Sequence, residues 1–508
     1  FTKMKKLIFT ILIIINSTYI FSQIDYKNQS FNIGIESINE FRDFLLIKND
    51  ANFKSEMEPL IKWGIDNFKK YGFDVERLET PELPLLLASK IISEKAKTIL
   101  IYLQFDGQPV DNSKWEQQDP YRAVLKEKIN EKYEIVDWEI LKGISMKDIL
   151  EKDLRIFARS SSDAKGPVMM MLSALEIMRR NDIELKYNIK VIMDFEEEIS
   201  SPNLAAAVKK YSSKLKSDAL FIFDGPKHPS NLPTLTFGAR GISDIRLITY
   251  GPIVPQHSGH FGNYAPNPVF RMSEILSSMK DKDGRVVIEG FYDGVTLDKE
   301  TQAILAGVPD DEKKMMEDMQ FNTFDNVGSN YQESIQYPSL NVRGIESGWV
   351  REEVRTIVPS ECIAEIDVRL VLESDPKRLH NLIKKHIKDL GYVIMDRRPT
   401  KEERLKYNKI VTFISTFDYD AFRTDIDSDI GKWLVKSLKN TFNTEPVRKR
   451  TSGGSVPISP FVNTLGIPAV TVPTVNQDNN QHSPNENIKI ENYITGIQTY
   501  LGILTDNF

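Results

Sequence analysis

The 508-residue sequence is poor in cysteine, in histidine and in net positive charge, and each shortage removes a class of function. A single thiol, Cys362, allows no intrachain disulfide and no thiolate metal cluster. It lies in "SECIAEIDVRL", whose alternation of apolar and polar residues reads as a strand, so an activated Cys/His nucleophile is not expected there. Lys and Arg number 66 against 72 Asp and Glu, a formal net charge of −6. Nucleic-acid binding needs a basic face, and this balance argues against one. The local run "VRKRT" at 447–451 reads as a solvated loop. Internal repeats and low-complexity tracts are absent, and past the N-terminal segment no apolar run reaches bilayer length.

What is present begins with that segment. Basic residues at 4–6 ("MKK") precede the apolar run "LIFTILIII" at 7–15, the layout of a signal peptide. The expectation is a signal peptide over 4–22, export to the periplasm or medium, and no membrane partner after its removal. A retained hydrophobic anchor is the alternative. The remainder, with 41% hydrophobic and 27% charged residues in the whole chain, has the composition of a globular protein. Its length calls for two domains.

From 36 to 71 the apolar spacing is helical, with Met57, Leu60, Ile61, Trp63, Ile65 and Phe68 on one side. "KTILIYLQF" (97–105), "YNIKVIMDF" (187–195) and "DALFIFDG" (218–225) read as buried strands, and "VMMMLSALEIMRR" (168–180) as an apolar helix. Strands alternating with helices predict an α/β domain, its mostly parallel central sheet flanked by helices. After "FGARG" the character shifts. A smaller α+β domain is expected over 240–398, with 280–345 acidic and irregular, inserted between a first α/β part over 27–239 and a second over 405–508.

Carboxylates gather where strands end. Asp106 follows the strand at 97–105, Glu196, Glu197 and Glu198 follow "VIMDF", and Asp224 follows "ALFIF". Asp163 lies in "RSSSDAKGP" just before the apolar helix. One such acid has a plain explanation in the helix dipole. Four strand-end positions converging on one crevice would repel one another, and divalent cations resolve the conflict. Of the six histidines, His482 in "NNQHSPNENI" returns to the same sheet edge. Imidazole with carboxylates suits zinc or manganese. His257 and His260 share the loop "QHSGHFGN", His228 receives no role, and His380 and His386 are expected on the surface of a Lys-rich helix.

These residues fall in the motifs "YLQFDGQPVDNSKW", "ARSSSDAKGP", "EEEISS", "FDGP", "HSGHFGN", "YPSLNVRGIESGW", "TIVPSECIAEIDVRLV", "GGSVP" and "HSPNE". In that order, over about 36–505, the chain resembles the dinuclear metallopeptidases related to aminoacylase, acetylornithine deacetylase and carboxypeptidase G. Within them it is most similar to the carnosinase and nonspecific dipeptidase branch. The resemblance implies a zinc-peptidase-like catalytic domain with a lid and dimerisation domain, and a homodimer. It also implies two divalent metal ions, zinc by the family's habit, with manganese or cobalt as alternatives. Asp163 would bridge the metals, Glu198 and His482 would complete one site, and Asp224 would serve the other. Glu197 would be the general base for a metal-activated water, and Asp106 would orient a ligand. His257 would reach the partner's active site. Thr356, Arg369 and Ser455, with Gly454 of "GGSVP", would hold a substrate carboxylate.

The sequence departs from the pattern at three places. Gln104 stands where the family has the second metal's histidine, which weakens that site. Ala164 replaces a second acid, and Ser452 replaces a glutamate that meets the free amine of dipeptides. The reaction implied is hydrolysis of a peptide or N-acyl amide bond, releasing an amino acid with a free carboxylate. The alternative is a degenerate relative that binds small peptides or acyl amino acids without turnover.

Overall fold

The run Thr98–Gln104, TILIYLQ, has no polar alternation, and it forms a strand buried on both faces in the middle of an eight-stranded sheet. The computed structural model describes residues 25–507, so the expected signal peptide over 4–22 lies outside the described residues. The sheet order is 74–78, 85–90, 188–194, 98–104, 219–222, 469–471, 234–236 and 447–449. Its four central strands, Asn188–Asp194, Thr98–Gln104, Ala219–Ile222 and Ala469–Thr471, run parallel. Their carboxyl ends therefore open on one edge, where a ligand crevice forms in such sheets.

Helices cover both faces. Lys165–Arg180 packs with Ile490–Thr505, Tyr26–Glu36 and Asp429–Phe442 on one side, and Leu204–Lys210 with Ser459–Leu465 on the other. Lys165 is fully buried and donates to the carbonyls of Phe44, Leu45 and Ile47 at the end of the helix Ile38–Leu46. The continuous helical spacing expected over 36–71 is broken there, and a second helix starts at Glu58–Lys70 with proline in its first turn. Between them Asn49 is buried, donating to the carbonyl of Phe105 and to Ser160 Oγ at 2.9 Å each. A polar contact thus outweighs helix periodicity and pins this turn beneath the crevice.

A second, five-stranded sheet has the order 339–346, 361–370, 241–250, 410–419 and 393–395. The helices Pro268–Met279 and Pro376–Asp389 bury one face of it over Ile245, Leu247, Leu379 and Ile383. Three features differ from the sequence reading. The strand Ile410–Tyr419 pairs with Gly241–Tyr250 in this second sheet, so α/β character returns only after Tyr419 rather than from 405. The segment 280–345 is not irregular. It carries Lys299–Ala306 and Glu312–Met319, each capped by an aspartate side chain (Asp298, Asp311), and the start of Ser339–Glu346. His380 is buried, its Nε2 3.0 Å from Ser243 Oγ, because it lies on the inner face of its amphipathic helix. Cys362 is a buried strand residue, as its alternation predicts. Among the described residues no helix is long and apolar enough to cross a membrane.

Candidate metal centre

Three adjacent parallel strands deliver the acids. Asp106 lies two residues past Thr98–Gln104 and is wholly buried. Its two oxygens accept the backbone N–H groups of Glu197 at 3.1 Å and Glu198 at 2.9 Å. Those two residues open the short turn Glu197–Ile199 after the neighbouring strand. Asp194, at the end of that strand, is also buried and accepts from Tyr102 Oη, Ser201 Oγ and the Glu196 N–H. The loop carrying Glu197 and Glu198 is thus tied at both sides. On the third strand's far end Asp224 accepts the N–H of Gly225 at 2.6 Å.

Asp163 is placed by Glu486. The Glu486 carboxylate is fully buried, pairs with Arg159 at 2.7 Å, and accepts the N–H groups of Ser160, Ser162 and Asp163 and the Ser162 hydroxyl. A single side chain thereby organises the loop ahead of the helix Lys165–Arg180, where the Asp163–Ala164 peptide is cis. His482 has a positive φ of 60°, a region that side chains other than glycine seldom occupy and that recurs at functional sites. From there its Nε2 lies 3.1 Å from Asp163 Oδ2 and 3.4 Å from Glu198 Oε2.

Ligand atoms of Asp163, Glu198 and His482 all lie within 4.8 Å of one another, the spacing of a metal's donors. Gln104, Asp163, Glu197, Asp224, His482, Gly454 and Ser455 line one cavity of about 460 Å³. Both amide atoms of Gln104 are buried without a hydrogen-bond partner among the described residues, as is Glu198 Oε1. The electrostatics point the same way. Burial, with Asp163 beside it, pushes Glu198 up to about 8, and the same causes push Asp224 up to about 7. Burial and then Asp224 hold Glu197 well above the carboxylate range. The hydrogen bond to Asp163 drives His482 up to about 9. Crowded acids with an orphaned amide oxygen and an imidazole fit a divalent-cation site.

The expected carboxylate-binding residues divide into two places. Arg369 Nη1 donates to Ser455 Oγ at 2.8 Å, and its Nε lies 3.3 Å from Asp367, at the rim of the cavity. Thr356 does not join them. It is exposed, beside His257, where Gln256–His257 pairs with Ile357–Val358 and the Ser258 N–H donates to the Thr356 carbonyl at 2.9 Å. The strand Glu361–Leu370 runs between the two places, and the eight residue steps from Glu361 to Arg369 span roughly 27 Å. His257 is likewise exposed and lines no part of this chain's cavity.

Sequence reasoning assigned nothing to three buried groups. Glu486 stood inside the quoted "HSPNE", yet the motif carried no sign that it serves residues 323–327 positions earlier. Asp194 looked like a strand residue. His228 is buried against Asp310 at 3.0 Å and lines the cavity, a pairing across 82 residues that no local pattern announces.

A parallel sheet whose carboxyl edge gathers acids and a histidine, beside a rim arginine, defines a metal-dependent hydrolase. Residues 138–506 match the peptidase family M20/M25/M40, and the chain belongs to that family. The Cys-Gly metallodipeptidase DUG1 of Candida albicans is 26% identical over 479 residues, covering 90% of this chain and 91% of that protein. The human Beta-Ala-His dipeptidase is 24% identical over 503 residues, covering 95% and 90%. Among solved structures, the M20 family metallo-carboxypeptidase Sso-CP2 of Sulfolobus solfataricus superposes with a TM-score of 0.74 at 27% identity, covering 92% of this chain and 98% of that one. Human carnosine dipeptidase 1 shares the fold, also at 0.74, with 22% identity and coverage of 94% and 98%. The chain is thus a metallopeptidase.

Since Glu486 does not itself line the cavity yet holds the Asp163 backbone, Glu486→Gln should weaken metal binding about 10- to 100-fold, the usual effect of losing a ligand's support. Competition with a chelator reads this directly. Unchanged affinity would show that the loop holds its shape without the charge.

Proposed function

We propose that this metallopeptidase hydrolyses a dipeptide or an N-acyl amino acid and releases an amino acid with a free carboxylate. The observation that carries the reading is one cavity lined by Glu197, Asp163 and His482, the last two clustered with Glu198, and carrying the Arg369–Ser455 pair at its rim. Relatives named as Cys-Gly and Beta-Ala-His dipeptidases support a two-residue substrate. The apolar segment behind Lys5 and Lys6 supports export.

In this reading Asp163, Glu198 and His482 hold one metal, while Asp163, Asp224 and Gln104 hold a second, with zinc favoured by the donor set and manganese or cobalt accepted. When bound, the metals supply Lewis-acid polarisation of the scissile carbonyl and of a water. Glu197 lies next to Glu198, and its side chain is spent on no hydrogen bond or ion pair among the described residues. It takes a proton from the attacking water and returns it to the leaving amine. Asp106 keeps Glu197 in place by accepting its backbone N–H. Arg369 offers its guanidinium fork to the substrate carboxylate, with Ser455 and the Gly454 backbone beside it. A non-catalytic binder would need the cleft but would have no use for a free carboxylate beside the ligand cluster.

The exposed pair His257 and Thr356 favours a homodimer through the five-stranded-sheet domain, each subunit completing its partner's cleft. Around them Ile253, Val254, Tyr264, Val350 and Val354 are exposed apolar residues, the composition of a covered surface.

Glu197→Gln should keep its metal and lose at least ~100-fold in kcat, the scale of a general acid–base group. Near-normal turnover by the metal-replete variant rejects the base assignment. Mixing Glu197→Gln with His257→Ala subunits should restore part of the activity, because one hybrid cleft then carries both groups. An active monomer in sedimentation defeats the shared cleft. Dialysis should remove one metal more readily than the other, since a neutral amide oxygen is a weak ligand, and Gln104→His should tighten that site. Equal, tight retention of both metals in the wild type contradicts the role of Gln104.

A further inference from the structure

The basic run at 447–451, read in the sequence as a solvated loop, forms an edge strand that brings Lys449 to the cleft. Val447–Lys449 is the edge strand of the eight-stranded sheet, parallel to Thr234–Thr236. The latter strand meets Ala469–Thr471 antiparallel only at Thr236↔Thr471. The two edge strands therefore stand beyond the carboxyl edge of the parallel strands and wall the cavity on one side. Lys449, Thr236 and Thr471 are cross-strand neighbours in one row, and all three line the cavity. Three interstrand steps of about 4.8 Å place the Lys449 strand roughly 14 Å to the side of the strand that ends at Asp224.

Lys449 is the one lysine or arginine lining the cavity among the described residues, and its side chain has no hydrogen bond or ion pair there. It is half-buried, with Tyr331 and Met315 contributing to the same wall. The acid in this wall is already engaged. Asp310 accepts from Gln332 Nε2 at 2.7 Å and lies 3.0 Å from His228 Nε2. Ser452 lines the cavity three residues further on, where a glutamate would have met a free amine, and its hydroxyl accepts the Gly454 N–H at 3.2 Å. This wall thus offers an ammonium with no hydrogen-bonded acceptor, and its one carboxylate, Asp310, attracts Lys449 electrostatically while its hydrogen bonds go to Gln332 and His228. The Lys449 ammonium is open to the cavity rather than sealed in the protein, so a ligand carboxylate can reach it and supply the acceptor.

We propose that Lys449 forms a subsite for an acidic group on the amino side of the substrate, so the preferred substrates carry a carboxylate on the acyl part as well as the one met by Arg369. An acidic first residue or a dicarboxylic N-acyl group satisfies this, and a lone ammonium on that side does not. The inference deepens the hydrolase reading and rests on it for the direction of the substrate.

The test compares succinyl-leucine with acetyl-leucine, which differ by one carboxymethyl group, and Asp-Leu with Lys-Leu, using the full metal-loaded protein. Succinyl-leucine and Asp-Leu should each be favoured in kcat/KM by at least about 10-fold, the scale of one charge-assisted hydrogen bond. Lys449→Met should erase the preference through KM while leaving kcat on acetyl-leucine unchanged, and Lys449→Glu should reverse the Asp-Leu to Lys-Leu order. Equal use of the paired substrates by the wild type, or an unaltered preference in Lys449→Met, overturns the subsite. Calorimetric titration of succinyl-leucine separates the two readings. Binding without turnover that disappears in Lys449→Met keeps the subsite and removes the hydrolase. Turnover of all four substrates without discrimination keeps the hydrolase and removes the subsite.

Discussion

Mutual repulsion of carboxylates at the carboxyl edge of the central sheet is the constraint around which the structure is organised. Neighbouring strands stand about 4.8 Å apart, so acids at the ends of adjacent strands cannot avoid one another. Burial makes matters worse, since water no longer screens them. The fold disposes of three of these charges internally. Asp106 and Asp194 are satisfied by backbone N–H groups and hydroxyls, and Glu486 by Arg159 and three N–H groups. Asp163, Glu197 and Asp224 line the cavity with His482, and Glu198 stands behind them within 3.4 Å of His482 Nε2. The internal three position Asp163, Glu197 and Glu198, while Asp224 is held by the end of its own strand and the Gly225 N–H. A metal site of this kind is rigid because its supports are themselves buried charges, whose removal is costly.

The second sheet contributes through its length. The strand Glu361–Leu370 ends with Arg369 at the cavity rim and begins close to the ribbon that carries His257 and Thr356. An extended strand cannot bring its two ends together, so residues belonging to one reaction by family resemblance are held apart within one chain. That separation follows from strand geometry alone, and it is the physical basis for expecting two copies to cooperate.

The segment 280–345 shows how an insertion can shape chemistry without supplying a ligand. The helix Lys299–Ala306 packs on the edge strand Val447–Lys449, and further along the segment Gln336 Oε1 accepts from Arg450 at 2.5 Å and the Tyr337 carbonyl from Arg240 at 3.0 Å. Asp310, Met315 and Tyr331 thereby close the cavity on the side away from the parallel strands. Acidic and polar composition had suggested an open loop. Aspartate caps and a few long polar contacts make it a wall instead.

The sequence by itself determined the elements whose signal is local. Unbroken apolar runs announced the parallel strands, alternation placed Cys362 in a strand, the acids at 106, 197–198 and 224 were visible as strand-end residues, and Asp163 was visible just ahead of an apolar helix, because such ends are marked by their own neighbours. His482 was legible for the same reason, lying between a strand and the last helix. Only the tertiary structure decided which long-range partners those residues have. It paired Glu486 with the Asp163 loop, His228 with Asp310 and His380 with Ser243. It also moved Ile410–Tyr419 into the second sheet, parted Thr356 from Arg369 and turned Lys449 into the cleft. Each of these depends on strand register or on a contact between residues far apart in the chain. Such contacts are set by how whole sheets and helices pack, and no short window of sequence records that packing.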